Sequence, residues 1–332
     1  MTNIKKIGLS ALAGALAMTS ANAASLSISG ETEISYTKGG DRSTTSNPLG
    51  QANTITFEAS GELDNGVSVS YKRTTTDAFA ADDSELVFGN ILGGTLAMQS
   101  TGSPLDGIDN KTPTAHNDAE GMVGSIGDVS GANGDFGIRY TLADVAGSGF
   151  TLDYNYVPHH GSGDATGDEG FSANAHGNGD AHDIAITGSI PGIEGLGVGF
   201  GYSKRNYDHK VAGTPRNEKH DGTAYATYAY GPLTIGYQVG AVGDSGNGGA
   251  AYKNTYMGIS YVVSDDLSVS YNNTESRKIN AGYTFDQEWD SISASYSMGG
   301  MTFNVADSDC SNCSYSSGRS ESETVVSLSI AF

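Results

Sequence analysis

The residues with the plainest capacity for chemistry are four carboxylates in one loop. Asp106, Asp109, Asp118 and Glu120 lie within Ser100–Asn133, with Asp128 nearer its far end and Lys111 as the only Lys or Arg of the segment. Carboxylates this dense attract cations. If the segment folds against bases, the two poles set a field that sorts charged solutes by sign and size. Lys72, Arg139 and Arg205 are the bases that strand alternation puts on the face opposite their apolar neighbours. A solvated surface loop would carry acids too, so the surroundings of the loop decide between the readings.

Two further groups invite chemistry. His159, His160, Asp164, Asp168, Glu169, His176 and His182 fall in or beside a stretch of Gly, Asp and Asn. Their spacing matches no metal motif, so they read as an acidic outer loop, with no metal site assigned and at most loosely held Ca2+ shared with lipid phosphates. Cys310-Ser311-Asn312-Cys313 reads as a small disulfide pinching a loop, because neither a strand-then-helix context nor a second ligand pair surrounds it. No inward histidine stands beside a nucleophilic serine, which argues against an enzyme, hydrolases included.

The elements that must hold these residues are strands. In Arg319–Phe332, Val326, Leu328, Ile330 and Phe332 alternate with Ser327, Ser329 and Ala331, the period of a strand with one apolar and one small or polar face. The first strand, from Ser25, carries the same pattern through Leu26, Ile28, Ile34 and Tyr36, with Glu31 and Glu33 on the other face. Between them, seven tight turns, such as Leu63–Gly66 and Gly299–Gly300, alternate with eight longer polar loops, including Thr274–Asp286 and Asp309–Gly318. That count predicts sixteen strands, an even number with both ends on the short-turn side, as a closed barrel needs. At that width an interior cannot be filled by side chains, so the polar faces enclose water and the apolar faces meet lipid. Ala224–Tyr230, with small and aromatic residues on both faces, and Trp289 stay unassigned to a side, the former being a candidate subunit contact.

Residues 1–23 carry Lys5 and Lys6, an apolar run and Ala21-Asn22-Ala23, the pattern of a cleaved secretory signal peptide. Its removal takes the formal charge from −21 to −23, which excludes nucleic acid as a partner. No later segment approaches the length of a membrane-spanning helix. The expected organisation is therefore a signal over 1–23 and an all-β, antiparallel transmembrane barrel over 24–332, with a loop at about 100–133 folding inward.

The sided first strand, Leu86-Val87-Phe88-Gly89-Asn90-Ile91-Leu92-Gly93-Gly94-Thr95-Leu96, the acidic loop after it and the terminal Phe332 resemble the general porins of Gram-negative bacteria, of the alphaproteobacterial type. The resemblance implies an outer-membrane channel, usually a homotrimer, whose third long loop narrows the pore. It places Asp106, Asp109, Asp118 and Glu120 in that constriction and makes Phe332 a signal to the outer-membrane assembly machinery. Lipid and lipopolysaccharide are the implied surroundings. The expected function is passive diffusion of ions and small hydrophilic solutes, with cations preferred. A solute-specific channel is the alternative, followed by a barrel hydrolase or an adhesin.

Overall fold

Alternating apolar residues separated by glycine-rich turns give sixteen strands: β1 (Ser25–Gly39), β2 (Leu49–Glu62), β3 (Ser68–Thr75), β4 (Ala81–Ile91), β5 (Gly94–Gln99), β6 (Gly137–Leu142), β7 (Phe150–Val157), β8 (Asn178–Ser189), β9 (Leu196–Tyr207), β10 (Lys219–Tyr230), β11 (Leu233–Val242), β12 (Ala251–Ser264), β13 (Leu267–Asn280), β14 (Tyr283–Met298), β15 (Met301–Ser311) and β16 (Ser320–Ala331). The computed structural model describes residues 25–39, 47–77, 80–116, 126–161, 178–207, 218–244, 249–280 and 282–332. The signal segment lies outside them.

Each strand pairs antiparallel with its sequence neighbours, and β1 closes the cylinder against β16 from Glu31↔Ala331 to Gly39↔Glu323. Beyond that ladder, Gly30 and Phe332 exchange both backbone hydrogen bonds, at 2.8 and 2.9 Å, so the last residue seals the seam. Closure leaves no unpaired edge, which a sheet standing in lipid requires. The turns at one end are tight: Gly299 and Gly300 take φ 57 and 84°, a two-residue hairpin in the left-handed region that suits glycine.

The faces are inverted relative to a water-soluble protein. Ile28 is 62% exposed, Phe200 54% and Ile292 64%, whereas Gln99, Asn155 and Gln238 are wholly buried. The apolar face is thus turned outward around the whole wall, as the alternation predicted.

Three local expectations change or resolve. Thr274–Asp286 is strand over most of its length rather than loop, because β13 runs to Asn280 and β14 begins at Tyr283. Its outward residues are polar because the hairpin rises past the apolar band. Arg277 faces Asp286 there, Nε to Oδ1 at 2.7 Å. Trp289 turns inward, 3% exposed, and packs on the Cys310–Cys313 disulfide, whose Cα atoms are 5.6 Å apart. In β10, Tyr228 and Tyr230 face outward, while Tyr225 turns inward over Gly199, where a Cβ would lie 2.2 Å from its ring.

Candidate pore constriction

The segment between β5 and β6 lies on the inner face of the wall, and small side chains make room for it. Leu105 and Ile108 sit on Gly201 of β9, where a Cβ would come within 2.7 Å of Ile108 and 3.2 Å of Leu105. Pro113 and Thr112 fill the space over Gly236 of β11 and Gly258 of β12, with hypothetical Cβ contacts of 2.4 and 2.7 Å. On the return, Val129 lies against Gly240. Leu105, Val129 and Val242, flanked by Tyr252, form an apolar cluster inside the barrel, so the loop brings its own small core. Burying a side chain of this size stabilises by roughly 1.5–3 kcal/mol.

Polar groups of the wall then take up the loop's backbone. Gln238 is the main clamp: its Nε2 donates to the carbonyls of Ile108 (2.9 Å) and Asp109 (2.6 Å), and its Oε1 accepts from the Lys111 N–H (2.7 Å). Ser270 accepts from Ala115 N–H at 2.8 Å and Ser293 from His116 N–H at 3.1 Å, which carries the chain across β13 to β14. The returning limb is held by Tyr315, whose hydroxyl accepts from Gly127 N–H (3.1 Å), and by Asn254, which donates to Gly127 O (2.8 Å). Asp183 of β8 accepts from Ala132 N–H at 3.3 Å. A buried backbone group left unpaired costs about 1–3 kcal/mol, so these contacts fix the loop's path as firmly as its apolar core does.

The carboxylates crowd one another on this scaffold. Burial above all, and then the charges of Asp128 and Asp106, push Asp109 up to about 7 against the lowering pull of a backbone hydrogen bond and Lys111. Asp106 is raised by burial and by Asp128 and Asp83, although its Oδ1 accepts from Asn133 Nδ2 at 2.8 Å. Asp128 is raised by burial, opposed by the Tyr256 hydroxyl that donates to it at 2.5 Å. These shifts describe a site with too much negative charge for its solvation, hence one that gains from a passing cation.

The predicted bases all point inward, but two are occupied. Arg139 Nη2 is 3.1 Å from Asp153 Oδ2, and Arg205 is paired with Asp221, which is almost fully buried. Lys72 of β3 stands between register partners Glu58 of β2 and Glu85 of β4. Asp118 and Glu120 lie outside the described residues, as do Asp164, Asp168, Glu169 and His176. His160 is buried with Nε2 2.7 Å from the Asn206 carbonyl, and His182 belongs to β8. Among the described residues no group of three or more His, Cys, Asp or Glu could hold a metal ion. Sequence reasoning missed Asp83 and the clamps Gln238, Asn254, Tyr256 and Tyr315. The signal was present in the inner-face run of Gly199, Gly201, Gly236 and Gly258, which marks where something must lie close to the backbone.

A family model described as Gram-negative porin matches residues 8–306. The fold is similar to in-vitro folded OmpT of Vibrio cholerae, an outer membrane protein in trimer form, with a TM-score of 0.67 at 11% identity, covering 93% of this chain and 100% of that one. Salmonella typhi OmpF in complex with daunomycin gives 0.67 at 12% identity, over 94% and 99%. A mutant of Rh. blastica porin gives 0.60 at 19%, over 93% and 100%. Among curated proteins none matches the chain.

Proposed function

Because the chain belongs to the Gram-negative porin family and is an outer-membrane channel protein, we propose that it passes small hydrophilic solutes and ions by diffusion, with cations preferred, and that the loop over Ser100–Asn133 is its constriction. The observation that carries this reading is the excess of carboxylates over bases on the loop and on the β2–β4 wall. Asp106, Asp109 and Asp128 gather on the loop beside Asp83. On β2–β4, Glu58 and Glu85 flank Lys72, while Arg139 and Arg205 are tied to carboxylates of their own. A narrow passage with that lining lowers the energy of a cation and raises that of an anion. By their place in the loop's sequence alone, we assign Asp118 and Glu120 to the same constriction.

The mechanism is a filter rather than a reaction. His182 and His220 turn to the outer face, on the far side of the wall from solutes in transit. We assign residues 1–23 to a cleaved signal and Phe332, seated against Gly30 at the seam, to recognition by the assembly machinery. A homotrimer in lipid and lipopolysaccharide is the proposed assembly, supported by the trimer form of the Vibrio cholerae protein. Reversal potentials across a planar bilayer under a salt gradient test the central claim. A cation-selective sign is expected and an anion-selective one overturns it. Conductance in the presence of sugars of graded size then sets the exclusion limit.

A further inference from the structure

The two cysteines of the chain close a small ring at the end of β15, and both are buried against Trp289 of β14, the chain's only tryptophan. Beyond Cys310 the backbone takes a path that L-residues avoid: Asn312, Ser314 and Tyr315 have φ of 54, 54 and 57°. Such a turn persists only where its surroundings fix it. The disulfide is one fixing. The others are hydrogen bonds from Cys313 N–H to the Arg319 carbonyl (3.0 Å), from Gly318 N–H to Asn312 Oδ1 (2.9 Å) and from Tyr315 N–H to Gln287 Oε1 (3.2 Å). Together they aim the Tyr315 side chain at the returning limb of the constriction loop.

At the tip of Tyr315 four residues close a hydrogen-bond circuit. Gly127 N–H donates to Tyr315 Oη at 3.1 Å, Tyr315 O–H to Ser276 Oγ at 2.8 Å, Ser276 O–H to Asn254 Oδ1 at 2.6 Å, and Asn254 Nδ2 to the Gly127 carbonyl at 2.8 Å. The Ser276 proton is committed to Asn254, which makes the Tyr315 hydroxyl the donor of the second bond. Both backbone groups of Gly127 are thereby taken. Asn254 and Ser276 are buried, so bulk water does not replace a lost member. Tyr252 roofs the circuit, its ring so close over Gly127 that a Cβ there would overlap it, and its centroid lies 5.7 Å from that of Tyr315. Lys278 Nζ caps both rings, 5.4 Å from Tyr315 and 5.9 Å from Tyr252.

We propose that the Cys310–Cys313 bond is the latch of the pore: it fixes the turn that aims Tyr315, Tyr315 holds the returning limb at Gly127, and opening the bond loosens that limb alone. Tyr315 is thus a positioning residue, and the passage answers to the oxidation state of a bond buried away from solutes. The effect on the passage rests on the loop being the constriction; the hold on Gly127 does not. An outer-membrane protein matures in an oxidising compartment, so the bond is closed as the channel is made. Opening it takes two electrons and two protons from a dithiol. One thiolate attacks a cysteine sulfur and expels the other as thiolate, then the second displaces the mixed disulfide, leaving two protein thiols and a cyclic disulfide. Without the cross-link, Asn312, Ser314 and Tyr315 relax toward ordinary φ and the hydroxyl leaves Gly127. The outgoing limb is held by the wall instead, through Gln238, Ser270 and Ser293.

The test uses the full refolded protein in detergent micelles. Trp289 reports the bond directly, because a disulfide in contact quenches indole emission: dithiothreitol should raise the fluorescence, and C310A/C313A supplies the open state where the buried bond resists the reagent. Hydrogen exchange over 126–133 should quicken roughly fivefold or more in the reduced protein, in C310A/C313A and in Y315F, as the loss of a buried hydrogen bond requires, while exchange over 105–115 keeps its rate. Dithiothreitol should add little to Y315F, since bond and hydroxyl act in series. Unchanged exchange over 126–133 once the bond is open, equal quickening of both limbs, or a full additional effect of dithiothreitol on Y315F each overturns the latch. Open-channel current noise in a planar bilayer separates the two readings, and it should grow on reduction. Quickened exchange with an unaltered current keeps the latch and removes the constriction, whereas unaltered exchange in a channel that still sorts sugars by size removes the latch alone.

Discussion

The inner wall has two halves of opposite construction. From β8 to β14 the inward positions that carry the loop are small or amide-bearing, Gly201, Gly236, Gln238, Gly258, Ser270 and Asn272 among them. From β1 to β4, and at β16, the inward positions include long charged side chains, Glu31, Glu33, Glu58, Lys72, Glu85 and Glu323, and the loop meets these strands at its start, where the Ser84 N–H of β4 donates to Ser100 Oγ at 3.1 Å. Small residues permit close approach and offer acceptors to a visiting backbone. Long charged ones occupy the lumen themselves and act on solutes through their field. One half is a bed for the loop and the other is an electrostatic lining, so equal substitutions in the two should have unequal consequences.

The largest difference is expected from filling the bed. In G236V/G258V the new side chains meet Pro113 and Thr112 at distances no real contact has. The barrel strands tolerate valine well, so the loop gives way instead. Single-channel conductance should rise by roughly twofold or more as the constriction is lost. Thr56→Val, an inward change on β2, should leave it unchanged. If both variants conduct alike, the loop does not narrow the pore.

Next comes the clamp. Gln238→Leu strands two carbonyls and one N–H of the loop at a cost of about 1–3 kcal/mol each. Limited proteolysis within 100–133 should speed up and channel noise should grow, with heat-resistant migration of the barrel retained. Glu33→Gln, which alters the acceptor for Ser327 and Ser329 at 3.2 and 2.7 Å, should do neither.

This asymmetry also marks the limit of what the sequence could tell. The strands, their sidedness, the tight turns and the closure of β1 on β16 were all legible, because period-two alternation survives wherever one face meets lipid. Thr274–Asp286 misled because strands that climb out of the membrane lose the apolar half of that pattern. Of the site, the acids were legible as a cluster and the bases as inward residues. The pairing of Arg139 with Asp153 and Arg205 with Asp221 was not, since it depends on register between neighbouring strands. The glycine bed was written in plain view but needed a known occupant to be read as one.

Acid should weaken selectivity through the loop side first. Asp109 has its carboxyl raised to about 7, so its charge is present above that pH and lost as pH falls through it. The same raised value means that the neutral acid fits the folded loop better. Whatever stability this group contributes is greatest in acid, below its ordinary range, and is lost as pH rises through about 7. Cation preference measured from reversal potentials should therefore decline between pH 8 and 6, by a few-fold at most for the loss of a single charge. Asp109→Asn should decline less over that interval. A wild-type profile that is already flat would place Asp109 away from the ion path.

The smallest change is expected from Lys72. It is the one base the β2–β4 lining offers among its described inward residues, and it is bracketed by Glu58 and Glu85, which already compensate much of its charge. Lys72→Gln removes the positive centre but leaves both carboxylates, so the lining becomes more anionic by a single charge in a wet, screened lumen. Cation preference should rise by less than about twofold, and the rise should fade as salt is increased toward 1 M. A large increase would mean that Lys72 is the true counter-pole to the loop acids and that the field runs across the pore. No change even in dilute salt would mean that the glutamates have neutralised it fully and that the loop alone sets selectivity. The two halves of the wall would then differ in kind, and only the covered one would act on ions.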